Sequence, residues 1–210
     1  MISNYTDLKA SILKWLIKDS GDTYFTDEML DDVIYLAEAE LSRRLRVRQM
    51  REQTTFNLTA NDPTYPLPSG FLETYIIYRT GASDEPNIEF MTASGFAERG
   101  LFTKTGTPSF FHINEDSFVF GPVPSSDVNI TLDYYKSIPN LSSTQTTNSI
   151  LTNYPDMYLI ACLKQAYMAS QSDREQIYEQ RLERLIDQTN KADSRNMTAN
   201  KSRGRARSII

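Results

Sequence analysis

Side chains able to do covalent or metal chemistry are few in this sequence, and they stand apart. One histidine, His112, sits in the segment Ser109 to Ile113, with no other His or Cys at ligand spacing. One cysteine, Cys162, lies in the apolar run Tyr158 to Leu163. A single thiol excludes an internal disulfide and a cysteine-based zinc site, and its setting is that of a small buried hydrophobe. A two-metal nuclease needs clustered carboxylates. Asp27, Glu28, Asp31 and Asp32 stand where acids complement the dipole of a helix start. Glu38 and Glu40 are two apart and face different directions of that helix, and Glu115-Asp116 is a hairpin tip. A solvated surface accounts for each of these acids. No nucleophile elbow, P-loop or dinucleotide-binding glycine motif occurs. No catalytic residue, metal site or cofactor is expected.

The basic residues are more suggestive. Arg43, Arg44, Arg46, Arg48 and Arg51 fall within nine residues, more than the dipole of a helix end requires. All five are candidates for facing nucleic acid or an acidic neighbouring subunit, and since the first four cannot all share one side of a helix, several are expected to make subunit contacts. A second basic segment holds Lys201, Arg203, Arg205 and Arg207 and ends in Ile209 and Ile210. A basic arm carrying two isoleucines reads best as a peptide that docks in a groove on a protein; contact with DNA and plain disorder are the other readings.

Charge is unevenly spread. The chain has 210 residues with 22 Lys and Arg against 27 Asp and Glu, a formal net charge of -5. From Arg195 onward there are five bases and no acid, so the body is more acidic than the total suggests. An acidic body with a short basic tail points to an acidic partner for the tail. No apolar run reaches the roughly 18 residues needed to cross a bilayer. Asp7, Lys9 and Lys14 interrupt any signal-peptide core, so synthesis in a cytoplasm is expected.

Elements to carry these residues follow from periodicity. Leu8, Ile12, Trp15 and Leu16 recur at helical spacing over 5–18. Thr26 is a good N-cap for a helix from Asp27 to Val47 with the stripe Leu30, Val33, Ile34, Ala37, Leu41 and Leu45. Near Gln53 the period changes to two. Strands are expected around Phe56 and Leu58, at Tyr65 to Leu67, at Tyr75 to Tyr78, and as a hairpin of 109–113 with 118–120. Thr92 to Arg99, closed by Gly100, makes a short helix; Val128, Ile130, Leu132 and Tyr134 make a half-buried strand. Helical period resumes at Tyr154-Pro155 and runs to about Ser170. Asp173 caps a last helix to about Ala192, with Ile177, Leu182, Leu185 and Ile186 on one side.

The expected fold is α+β: a helical bundle from both ends of the chain (1–52 and 138–195), an inserted small antiparallel β-barrel or sandwich (53–137), and a flexible basic tail (196–210).

Three segments resemble the head-to-tail adaptor, or connector, family of podovirus-type tailed bacteriophages. The first is Tyr65-Pro66-Leu67-Pro68-Ser69-Gly70-Phe71-Leu72 with the strand that follows it. The second runs from Gly106-Thr107-Pro108 through Phe120-Gly121-Pro122-Val123-Pro124 to Leu132-Asp133-Tyr134-Tyr135 and on to Ile138-Pro139-Asn140-Leu141-Ser142. The third is Asn148-Ser149-Ile150-Leu151-Thr152-Asn153-Tyr154-Pro155-Asp156-Met157-Tyr158-Leu159. The resemblance implies a structural virion protein at the head–tail interface, made in the host bacterial cytoplasm. It implies a homo-oligomeric ring of twelve between the portal protein and the tail nozzle or tube protein. Double-stranded DNA would pass through its channel without specific binding, and the C-terminal extension would reach the portal. No membrane is involved in this reading. A small DNA-binding protein and a packaging-associated nuclease are the alternatives.

Overall fold

The computed structural model describes the backbone of residues 2–20, 25–81 and 87–205, and the side chains of these except 17–20 and 196–205. The chain divides into two compact units, Met1–Met50 with Ser137–Ile210, and Arg51–Lys136. The α+β class expected from the sequence is the one observed.

The first unit is helical: α1 (Tyr5–Ser20) and α2 (Asp27–Arg44) come from its first segment, and α4 (Ser149–Asn153), α5 (Pro155–Ala169) and α6 (Glu175–Arg205) from its second. Thr26 caps α2 as its sequence suggests, its hydroxyl accepting from the N–H of Met29 at 3.3 Å. The full stripe of α2, from Leu30 to Leu45, is buried. Helix α5 is buried on almost every side, and α1, α2, α4 and α6 all pack against it. Its apolar residues therefore do not form a single stripe.

Two expected core residues lie outside. Trp15 is 41% and Ile177 53% exposed, because the buried arcs of α1 and α6 are the narrower sets Leu8, Ile12, Leu16 and Tyr178, Leu182, Ile186. Asp173 does not cap α6; it sits in the preceding turn, where the N–H of Glu175 donates to the Ser172 carbonyl (3.1 Å). Nor does α6 stop near Ala192: its backbone stays helical through Arg205, in a segment whose only strong helix breaker is Gly204.

The second unit holds β1 (Arg51–Leu58), β2 (Thr64–Pro66), β3 (Phe71–Arg79), β4 (Glu89–Phe90), β5 (Thr105–Gly106), β6 (Phe110–Asn114), β7 (Ser117–Gly121), β8 (Val123–Pro124) and β9 (Val128–Lys136), with α3 (Ala93–Arg99) between β4 and β5. Thr92 caps α3, and Gly100 closes it at φ 65°, the left-handed conformation that glycine adopts without strain.

One sheet has the order β1-β9-β3 and is antiparallel; a second has the order β2-β7-β6-β4; β5 and β8 form a third. Their inner faces share one cluster, with Phe56, Leu58, Ile77, Ile130 and Leu132 from the first sheet and Phe111, Phe118 and Phe120 from the second. No barrel closes. The edges β3 and β4 meet only at an isolated bridge, Tyr78 to Asn87. Pairing is not wholly antiparallel either, since β4–β6 and β5–β8 are parallel.

Strand β9 is more buried than its alternation implied, because it is central between β1 and β3. Its Thr131 hydroxyl bonds those of Thr55 (3.1 Å) and Thr80 (2.6 Å), so its second face is filled by matched hydroxyls. Gly121 is required for room: a Cβ there would stand 2.6 Å from Cε1 of Phe96 and 2.9 Å from Cβ of Leu101. Gly121→Ala is expected to lower unfolding stability by about 1–3 kcal/mol through overpacking, read from a urea melt; an unchanged midpoint would show that Phe96 yields.

Candidate assembly surfaces

The five clustered arginines are placed in different ways. Arg44 reaches from α2 to α6: its Nη1 donates to Glu40 (2.7 Å) and Glu179 (3.0 Å). Arg46 turns back on its own helix, donating to the carbonyls of Ser42 (3.1 Å) and Leu45 (2.6 Å), which the end of α2 leaves without intrahelical partners. Arg51 opens β1 in the second unit, ion-paired with Asp133 and stacked 3.6 Å from the centre of the Tyr75 ring. Arg43 points outward; Arg48 keeps 66% of its side chain exposed, yet its Nε pairs with the buried Asp193 (3.8 Å) and its backbone N–H donates to the same carboxylate (3.2 Å). Lys201, Arg203 and Arg205 fall on the last turns of α6, whereas Arg207, Ile209 and Ile210 lie outside the described residues.

The acids of α2 overturn one expectation. Glu38 and Glu40 are not solvated: they are 1% and 6% exposed. Glu40 accepts from Lys164 (2.7 and 2.9 Å), Arg44 (2.7 Å) and Gln165 (2.8 Å). Lys164 also pairs with Glu179 of α6, so one knot of charge ties α2, α5 and α6 together. Burial works to raise the Glu40 carboxyl, but the donors from Lys164 and Arg44 outweigh it and hold the group below its ordinary range.

Glu38 anchors a loop. Its Oε1 accepts from the N–H of Leu141 (2.8 Å) and from the Tyr158 hydroxyl. Asn148 donates to that hydroxyl (3.0 Å) and to the Pro139 carbonyl (2.9 Å), and accepts from the N–H of Leu151 (2.8 Å) to cap α4. Among the described residues no cation pairs with Glu38, and burial pushes its carboxyl up to about 7 despite both hydrogen bonds. The segment 138–148, between β9 and α4, is thus fixed at both ends by buried polar contacts. The hint was Asn148 three residues ahead of Leu151, a capping spacing; Glu38 itself carries no sequence signal that marks it as buried.

The groups first considered for chemistry stay apart. His112 is buried on β6 with ring centroids of Phe96 and Phe102 at 4.7 and 5.7 Å. Cys162 is fully buried in α5, and burial drives its thiol upward, away from reactivity. Among the described residues no three His, Cys, Asp or Glu side chains gather as a metal site. The acids at the start of α2 engage α1 instead, with Lys9 and the Tyr5 hydroxyl both meeting Asp31.

Sequence reasoning missed a groove of about 500 Å³ in the second unit, along the edge strand β3 and beside β4. Tyr75, Ile76, Phe90 and Ile113 line it and are 36–62% exposed. Apolar side chains at an open sheet edge form a surface suited to a protein partner.

Buried charge locks helices and loops in the first unit, and the second unit exposes an apolar sheet edge. The match to known families is specific. The chain belongs to the SU10 adaptor protein family, which it matches over residues 3–207, and this is a family of phage head-to-tail adaptors. It is therefore a bacteriophage structural protein of the head–tail connector, from a family of adaptors and not of enzymes. Membership implies contact with portal and tail proteins and a place in the virion. No curated protein matches the chain, and no described helix is long and apolar enough to cross a membrane.

Proposed function

We propose that the chain forms a ring, of twelve subunits on the family pattern, that joins the portal to the tail nozzle and surrounds the channel through which double-stranded DNA passes. The observation that carries this reading is helix α6. Its 31 residues span about 46 Å at 1.5 Å per residue, and its last buried described side chain is Asp193. Beyond that point the helix bears Lys201, Arg203 and Arg205. A helical arm ending in cations, followed in sequence by Arg207, Ile209 and Ile210, suits docking into an acidic and apolar groove on the portal. Arg43, the outward member of the first cluster, is left for subunit or channel contacts, with Arg48 exposed beside its pairing to Asp193, while Arg44, Arg46 and Arg51 hold the fold. The groove at β3 and β4 supports placing the second unit toward the tail protein.

Deleting residues 196–210 is expected to leave a folded chain, since Tyr178, Leu182 and Ile186, the apolar side chains that α6 buries, are all retained, and to abolish co-sedimentation with isolated portal rings. Light scattering of the full chain with portal rings supplies the control. Undiminished joining by the truncated chain refutes the docking arm.

A further inference from the structure

The outward face of α6 is a stripe. Ile177, Arg181, Arg184, Gln188, Lys191 and Arg195 recur at alternating steps of four and three, and all are exposed. Steps of four and three hold residues on one side of a helix. Glu179, which meets Arg44 of α2, is two residues from both Ile177 and Arg181. At about 100° per residue, the stripe points to the far side of α6 from α2.

Helix α2 has its own outward stripe, with Glu28, Asp32, Tyr35, Ala39 and Arg43 at steps of four and three. Tyr35 is 57% exposed and Ile177 53%, each an uncovered apolar side chain at the centre or end of a charged row. The two rows complement one another. The α2 row places two acids ahead of Tyr35, and the α6 row places two arginines after Ile177. Four cations in a stripe also suit phosphates, but the row is flanked by exposed Glu183 and Asp187, and Lys191 is already paired with Asp187 (2.6 Å). Acids beside the cations weaken attraction for DNA and leave that for an acidic and apolar protein face.

We propose that the outward face of α6 docks on the outward face of α2 of a second copy of this chain, with Arg181 and Arg184 set against Glu28 and Asp32 and Ile177 packed beside Tyr35. Because the two faces are different surfaces of one helical unit, the contact is heterologous, and repetition of a heterologous contact closes a ring when its rotation permits. This assignment rests on the ring reading above and names the surfaces that build it.

The test is reciprocal charge reversal in the full chain, followed by sedimentation velocity alone and on portal rings. R181E/R184E makes both faces acidic, and E28K/D32K makes both basic. Each variant alone is expected to lose self-association at least tenfold, with circular dichroism unchanged. An equimolar mixture regains it, because opposite faces again alternate around the ring. Wild-type assembly by either variant alone, or no recovery in the mixture, overturns the surface while leaving the ring reading intact. A wild-type chain that neither self-associates nor binds portal overturns both. Loss of salt-sensitive binding to a short DNA duplex in R181E/R184E, with assembly unaltered, assigns the stripe to nucleic acid and overturns the proposal.

Discussion

Glu40→Ala is expected to lower the free energy of unfolding by about 3–5 kcal/mol, the range for removing one partner from a buried ion pair. Glu40 is 6% exposed and accepts four hydrogen bonds, two from Lys164 and one each from Arg44 and Gln165. Without it, Lys164, whose side chain is 13% exposed, keeps Glu179 alone as its carboxylate partner, and Gln165 loses its bond altogether. The ammonium stays buried with less of its charge answered, and that residual charge carries most of the cost. The double variant Glu40→Leu, Lys164→Met removes both buried charges and is expected to recover most of the loss, since an apolar pair of similar volume often matches a buried ion pair. Urea melts of the two variants at neutral pH make the comparison. A loss for Glu40→Ala below about 1 kcal/mol, typical of exposed pairs, would mean that water reaches this knot.

The second large effect is in pH. Burial in the folded chain pushes the Glu38 carboxyl up from its ordinary 4.5 to about 7, with no cation beside it among the described residues. Below pH 4.5 both states hold the proton and the group has no influence. Between 4.5 and about 7 the folded state keeps a proton that the unfolded state has released, so stability falls as pH rises. Above about 7 the loss is complete, at roughly 3 kcal/mol for a shift of this size. Glu38→Gln keeps an oxygen to accept from Leu141 and Tyr158 and removes the titration. The stability of this variant relative to the unaltered chain is expected to improve by roughly 3 kcal/mol between pH 4.5 and pH 8. An identical difference at both pH values would show that the carboxyl ionises without penalty. The loop 138–148 hangs on this carboxyl at Leu141, so its amide exchange is expected to quicken over the same window.

The charged knot and the loop anchor were not legible as such. Glu38 and Glu40 read as surface because acids in a helix usually are, and because, Arg44 apart, the partners that bury them lie more than 100 residues away in sequence, Lys164 for one and Tyr158 and Leu141 for the other. Spacing along a chain reports which side of a helix a residue occupies, not what that side meets. For the same reason Trp15 and Ile177 fitted a helical stripe and still lie outside, since the width of a buried arc is set by the neighbouring helix.

Local chemistry was decided by the sequence alone. Thr26 and Thr92 cap the helices they precede, Gly100 ends α3 in the left-handed conformation, and the change of period near Gln53 marks where helix gives way to strand. These depend on bonds within four residues or on backbone sterics, which neighbours in sequence settle. The turn motifs that carry the family resemblance are local in the same sense, and the family they point to is the one the chain belongs to. Only the tertiary structure decided which strands would be edges, that β4 pairs parallel with β6, and that the sheets share one core without closing a barrel. It also decided which arginines turn inward and which stay exposed. Those outcomes rest on contacts between distant segments, where burial and charge pairing outweigh any preference a residue shows by itself.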